Sequence, residues 1–307
     1  MQAGWISKGI RSAKIQFLHW DRIIVHIPSS IRLYPDWNIK TPPQPHPFAS
    51  ITFSHTNANM SQNILITGAS SGLGLAFLQH YASQPTTSRI LALDFQPLPT
   101  SVTISLPSTI EFQKVDIANQ AHIRYLASRY ANLPIDLVIH CAGVRGLVKD
   151  VISQQQEKGE RGDVAAAETL QVMDRDTMVR TLEINTFGTF NLISAFLPDL
   201  QMQPNSKVII LSSRMGSVSS NVSGGGYAYR ASKAALNAVV KSFSIDVPDV
   251  TFLLLHPGRV ETGLVEWKEE GAISVEESLG DCLKVIEELK GQDSGKLVDR
   301  FGVEIPW

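Results

Sequence analysis

Tyr229 and Lys233, in the stretch SGGGYAYRASKAALN (Ser223–Asn237), are the side chains whose types and spacing best suit proton transfer. Residues four apart on a helix share a face, and their side chains meet. A free phenol titrates near pH ~10, and a cation beside it favours the phenolate. A tyrosine with a lysine one turn further on is therefore an acid/base unit able to work near neutral pH. The neighbouring Tyr227 has Ala231 at the same interval and lacks such a partner. Taken alone, the pair also fits a plain helix surface, with the lysine stem laid over apolar neighbours and its ammonium in water.

A second constellation is ILITGASSGLG, which sets Gly68, Gly72 and Gly74 directly after an apolar run and at the head of a helical pattern. Glycines there permit a tight turn and close backbone approach, and a helix N-terminus offers N–H groups and positive potential to a pyrophosphate. The spacing is TGxxxGxG rather than GxGxxG, and its strand-to-helix setting favours nucleotide binding over a purely structural turn. His140 stands in an apolar run, which suits a buried histidine better than an acid or a ligand. With no second His or Cys at metal-ligand spacing, no metal is expected. Cys141 and Cys282 lie in different contexts and suggest no disulfide framework.

The elements that must position these residues are legible from Met60 onward. Apolar, β-branched runs recur at Asn63–Thr67, Arg89–Leu93, Asp136–His140, Lys207–Ser212 and Val250–His256. Between them lie stretches of helical period, including Leu73–Ala82, Gln120–Ala131, Thr186–Leu197 and Tyr229–Phe243. Short strands alternating with helices predict an α/β doubly wound parallel sheet, covered on both faces, in a single domain over 60–307. The polar stretch Ser153–Glu168 is expected as an exposed excursion.

Residues 1–59 differ. They hold six of the 16 prolines and carry six Lys/Arg against two acids, a net of +4, whereas the rest of the chain sums to −6 within the total of −2. They are expected to be a disordered extension or a gene-model artefact upstream of Met60, with a mitochondrial presequence as the alternative. An acidic body speaks against a broad nucleic-acid footprint, and no apolar run reaches the ~18 residues of a membrane span. A cytoplasmic protein, without nucleic-acid or membrane partners, is the expectation, and a mitochondrial one if 1–59 is a presequence.

From Met60 on, the chain resembles the short-chain dehydrogenase/reductase family, and within it the C-factor-like branch. The residues that carry the resemblance are the glycine loop, CAG (Cys141–Gly143), NTFG (Asn185–Gly188), LSS (Leu211–Ser213), YRASK (Tyr229–Lys233) and HPGRVET (His256–Thr262), in the family's order. The resemblance implies a Rossmann-type fold and catalytic roles for Asn185, Ser213, Tyr229 and Lys233. Tyr229 would exchange the proton, and Lys233 would lower its pKa and hold the nicotinamide ribose. Ser213 would orient the substrate oxygen, and Asn185 would hold a water that links Lys233 to solvent. Ser212 is the alternative to Ser213, and Asn185 by itself would be an ordinary helix cap. Tyr227 would belong to the loop before the helix. Cofactor contacts are implied for Gly68, Ser70, Gly72, Leu73 and Gly74 at the phosphates, for Asp116 and Ile117 at the adenine, and for Ala142 and Gly143 along the ribose. Pro257, Gly258, Val260 and Thr262 would face the nicotinamide, with Tyr229 and Lys233 beside them, and the stretch after Thr262 would form a substrate lid. Cys141 departs from the Asn usual before Ala-Gly.

The function so implied is NAD(P)-dependent interconversion of a small carbonyl compound and its secondary alcohol. The alternatives are a dinucleotide-binding regulatory protein with weak turnover and a structural scaffold. Asp94 ends the second apolar run, where a carboxylate accepts from ribose hydroxyls and repels an added phosphate, so NAD is expected to be preferred, with NADP as the second cofactor. The small and apolar residues around NTFGTFNLISAF and YRASKAALNAVV predict a homodimer or homotetramer.

Overall fold

Strands apolar on successive residues need cover on both faces, and the helices of this chain supply it. The computed structural model describes residues 62–103, 107, 109–158, 162–265, 267 and 270–307. The chain divides between Thr56 and Asn57, and the expectations for residues 1–59 lie outside the described residues. Seven strands, β1 (Gln62–Thr67), β2 (Thr87–Asp94), β3 (Ile110–Lys114), β4 (Leu137–His140), β5 (Lys207–Leu211), β6 (Thr251–His256) and β7 (Lys296–Asp299), form one sheet in the order β3-β2-β1-β4-β5-β6-β7. Every neighbouring pair is parallel. The helices are α1 (Gly72–Ala82), α2 (Thr100–Thr103), α3 (Gln120–Arg129), α4 (Lys149–Glu157), α5 (Arg175–Leu182), α6 (Gly188–Gln201), α7 (Tyr227–Asp246) and α8 (Val275–Glu288). This is the expected doubly wound, Rossmann-type architecture.

Alternation along the strands divides the core into two. Leu65, Leu91 and Leu93 face a cluster with Ile123 of α3, Phe196 of α6 and Leu236 of α7. Ile64, Ile66 and Ile90 point the other way, to Phe77 and Leu78 of α1 and Ile286 of α8. Fully burying each such side chain contributes about 1.5–3 kcal/mol before the entropy of ordering it. The chain order reverses between β1 and β4, paired with Thr67 opposite His140. At such a switch point the carboxyl ends of the strands open a crevice for ligands, and there the glycine loop, β4 and β5 deliver their C-terminal residues.

Three details differ from the sequence expectations. The edge strand β3, with sequence IEFQK, has no fully buried residue, and β7 has only four residues, so neither shows as an apolar run. The helix expected at Thr186 is instead continuous from α5 through a π-helical turn, Glu183–Phe187, into α6. The excursion over 153–168 begins in α4, which buries nothing, yet closes in a 3₁₀ turn, Ala165–Glu168, with Ala167 and Glu168 buried. Among the described residues, no helix is long and apolar enough to cross a membrane.

Candidate active site

The glycine loop is shaped by what cannot fit beside it. Gly68 has φ +67°, and a β-carbon there would lie 2.8 Å from the Ala142 nitrogen at the end of β4. At Gly74 a β-carbon would fall well inside contact of the Gly68 carbonyl oxygen and 2.6 Å from its carbon. The first turn of α1 thus rests directly on the backbone leaving β1, its N–H groups at the cleft. Gly72, at φ +50°, packs against Thr262 of the segment after β6. From β2, Asp94 reaches across: its Oδ2 accepts the Ser70 N–H at 2.9 Å, and its Oδ1 accepts that of Gln96 at 2.9 Å. Asp94 therefore braces the loop as well as lining the cleft, a duty that a strand-end carboxylate does not reveal in sequence.

The cleft has a volume of about 970 Å³. Lining it are Gly68, Gly72, Leu73 and Gly74 from the loop, Asp94 at the end of β2, Asp116 and Ile117 after β3, and Ala142 and Gly143 after β4. Pro257, Gly258, Val260 and Thr262 also line it, with Ser213, Tyr229 and Lys233. Of the residues singled out in sequence, Ser70 and Asn185 stand behind this surface. A long cleft over a helix N-terminus, with a backbone cradle that β-carbons would fill, fits a dinucleotide.

Tyr229 is 7% exposed and lines the cleft, whereas Tyr227 is 38% exposed and does not. Tyr227 is not in the preceding loop; it opens α7, because Gly226 at φ +59° turns the chain into the helix one residue before it. Lys233 is buried, with Nζ 5.7 Å from the centre of the Tyr229 ring and donating to the Leu211 carbonyl at 2.8 Å. Burial pulls its pKa down to about 8. The two serines after β5 have separate partners. Ser212 Oγ donates to Asn237 Oδ1 at 2.6 Å inside the core, while Ser213 Oγ accepts from the Met215 N–H at 3.1 Å and keeps its own proton available. Asn185 is fully engaged: Oδ1 accepts the Val144 N–H at 2.8 Å, and Nδ2 donates to Val144 O at 2.8 Å and Ser232 Oγ at 3.0 Å. It ties the loop after β4 to α7 and is not a helix cap.

Cys141 is the departure from the pattern the sequence resembles, and His140 precedes it at the end of β4. His140 is buried between two threonines, with Nδ1 2.7 Å from Thr67 Oγ1 and Nε2 2.8 Å from Thr189 Oγ1. Thr189 donates its proton to Asn185 O at 2.8 Å, so it must accept from Nε2–H. Nδ1 then accepts from Thr67, whose oxygen takes the Ala142 N–H at 3.2 Å. The chain of bonds is closed with a neutral ring. Burial, helped by the Lys233 charge, pushes the His140 pKa down to about 3, and burial raises that of the Cys141 thiol. An unfolded histidine binds its proton first as the pH falls, so this contribution is complete above about 6.5 and is lost as the pH falls toward 3. Urea unfolding between neutral pH and about pH 4 should show stability declining more steeply in the wild type than in His140→Asn. The difference in slope should be at most about 1.4 kcal/mol per pH unit. Equal slopes would mean that His140 does not titrate this way.

Sequence reasoning missed a pair that contacts the tyrosine. Arg145, two residues beyond Gly143, forms a two-pronged ion pair with Glu168, and its guanidinium lies 4.9 Å from the Tyr229 ring centre. Nothing in the chain links Arg145 to a glutamate in the excursion, so no local signal announces it.

Over residues 62–272 the chain matches the family described as short chain dehydrogenase. It is 36% identical over 187 residues to the C-signal of Myxococcus xanthus, a match spanning 60% of this chain and 100% of that protein. It is 35% identical over 199 residues to the 1-hydroxy-2-glutathionyl-2-methyl-3-butene dehydrogenase of Rhodococcus sp. (strain AD45), spanning 63% of this chain and 78% of the relative. Among solved structures it is similar to the NADPH-bound carbonyl reductase from chicken fatty liver, with a TM-score of 0.68 and 25% identity over 81% of this chain and 100% of that one.

Proposed function

The chain belongs to the short-chain dehydrogenase/reductase family and is an NAD(P)-dependent oxidoreductase; from that premise we propose that it interconverts a small carbonyl compound and the corresponding secondary alcohol, with Tyr229 as acid/base. The bound nicotinamide supplies or accepts the hydride. Ser213 donates its free hydroxyl proton to the substrate oxygen and sets its position. Tyr229 delivers a proton to that oxygen in reduction and removes one in oxidation. Lys233, still largely charged near neutral pH, favours the phenolate and so brings the tyrosine into a useful range. Asn185 holds the loop after β4 in register with the helix that carries both. What supports this reading is that Tyr229, Lys233 and Ser213 all line the cleft, whereas Tyr227 does not and the Ser212 hydroxyl is engaged by Asn237.

The two serines test it. Ser213→Ala should lower kcat by roughly 10²–10³-fold, as loss of a donor to a developing oxyanion does. Ser212→Ala should cost about 1 kcal/mol of stability through Asn237 and leave kcat within tenfold. The reverse order of damage on a panel of simple ketones and aldehydes would assign the role to Ser212.

A second reading, a dinucleotide-binding regulatory protein with little turnover, draws on the similarity to C-signal and on Cys141. It predicts tight dinucleotide binding without turnover on any carbonyl.

For the cofactor, the proposal is that NAD is preferred, in contrast to the NADPH-bound carbonyl reductase. Asp94 ends β2 at the cleft, and like charges a few ångströms apart cost about 1–4 kcal/mol at surface-like dielectric. Asp94→Ser should narrow or reverse the NAD:NADP affinity ratio, chiefly by improving NADP, while loosening the loop at Ser70 costs some affinity for both. Tighter binding of NADP than NAD by the wild-type protein, measured by calorimetry, would overturn this. We also place a homodimer or homotetramer interface on α6 and α7, where Phe190 and Ile245 are exposed; light scattering at micromolar concentration reads the assembly.

A further inference from the structure

Three elements meet at the ring of Tyr229. The loop after β4 brings Arg145, the turn Ala165–Glu168 brings Glu168, and the first turn of α7 brings the tyrosine. Arg145 Nε donates to Glu168 Oε2 at 2.9 Å, and its Nη2 donates to Oε1 at 2.8 Å. The two side chains are only 14% and 10% exposed. The Glu168 carbonyl also accepts the N–H of Gly226, the residue that turns the chain into α7. The Tyr229 ring thus lies beneath two cations, Arg145 at 4.9 Å and Lys233 at 5.7 Å from its centre. One of them carries a carboxylate counter-charge. Buried ion pairs add little net stability once desolvation is counted, so bracing the fold is a weak account of this one. A cation over an aromatic face is attracted to it, and a cation beside a phenol favours the phenolate.

We propose that Arg145 is a positioning residue for Tyr229, a second cation that acts with Lys233 to favour the phenolate, and that Glu168 sets how much of that charge the ring feels. The inference rests on the reading of Tyr229 as the acid/base. Other charged groups line the same cleft. Arg230 follows Tyr229 on α7 and is bonded to the neutral Gly225 O and Ser223 Oγ. Arg214 follows Ser213 and is shared with Asp299 at 3.5 Å. Arg180 and Glu183 come from α5 and the π-helical turn packed against α7, and Arg259 comes from the segment after β6. His140 on β4 is held neutral, as described above. Arg145 and Lys233 are the cations that lie over the ring itself.

The test is an ultraviolet titration of tyrosinate in the presence of NAD, taking the difference between each protein and its Tyr229→Phe counterpart. That difference removes the other phenols, including Tyr130, which burial and Glu111 hold up to about 12. Arg145→Met should move the Tyr229 midpoint upward by about one half to one pH unit, a three- to tenfold change in phenolate at fixed pH. Glu168→Gln should move it downward by a similar amount, because the guanidinium keeps its charge while the carboxylate counter-charge is removed. Arg145→Lys should stay within a few tenths of a unit of the wild type. A brace with no electrostatic role would shift both pair-breaking variants in the same direction or not at all, and either result overturns the proposal. Should Arg145→Met fail to fold, the direction of Glu168→Gln against Arg145→Lys decides. The readout needs no turnover, so the two readings fail separately. An active Tyr229→Phe enzyme would remove the acid/base role, whereas an inactive one with unshifted midpoints would remove this inference alone.

Discussion

Gly74→Val is expected to abolish dinucleotide binding, lowering affinity by at least about 100-fold, and to destabilise the protein by about 3 kcal/mol or more. The added β-carbon meets backbone, the carbonyl of Gly68, and not a flexible side chain that could move aside. Helix α1 would have to lift from the end of β1, displacing the N–H groups at the cleft where the proposal puts the phosphates. Its buried face would move as well, since Phe77 and Leu78 anchor one half of the core. Gly280 provides the control. It lies within α8, a β-carbon there meets nothing within 4 Å, and its φ is not in the left-handed region. Gly280→Ala should raise stability by about 0.5–1 kcal/mol and leave binding unchanged. Calorimetric titration with NAD, alongside thermal melting, reads both variants. Wild-type affinity in Gly74→Val would show that the loop does not hold the cofactor.

Tyr229→Phe is expected to reduce turnover by roughly 10²–10⁴-fold while leaving dinucleotide affinity within a few-fold. The substitution removes one hydroxyl from a ring that stays packed beside Arg145 and Lys233, so the cleft keeps its shape. Tyr227→Phe, at the exposed first position of α7 and outside the cleft, should change turnover by less than about threefold. Steady-state rates with a reducible carbonyl measure both. A larger loss in Tyr227→Phe would reverse the assignment of the pair.

Much of this was legible in sequence because the physics is local. The runs that became β1, β2, β4, β5 and β6 are apolar on both faces, as strands covered by helices on both sides must be. The four-residue interval from Tyr229 to Lys233 survives intact because both lie on one uninterrupted helix. What escaped depends on partners distant in the chain. The edge strand β3 pairs only with β2, and its residues are all partly exposed, so alternation and burial leave a weak trace. The engagement of the Ser212 hydroxyl depends on Asn237, and the second duty of Asp94 follows from Ser70. The start of α7 at Tyr227 depends on the left-handed Gly226, one of three successive glycines with positive φ that read as loop. Arg145 and Glu168 are joined only by the return of the excursion to the cleft.

The central claim is hydride transfer between a dinucleotide and a carbonyl carbon in this cleft, with Tyr229 supplying the proton. The most direct measurement incubates the protein with reduced dinucleotide carrying deuterium at the transferable position and a panel of simple ketones and aldehydes, with mass spectrometry of the alcohols formed. The wild-type protein should place one deuterium on the carbinol carbon of at least one product, and Tyr229→Phe should lower the yield by about two orders of magnitude or more. Deuterium transferred equally well by Tyr229→Phe would contradict the account, as would tight dinucleotide binding with no deuterium transferred to any carbonyl.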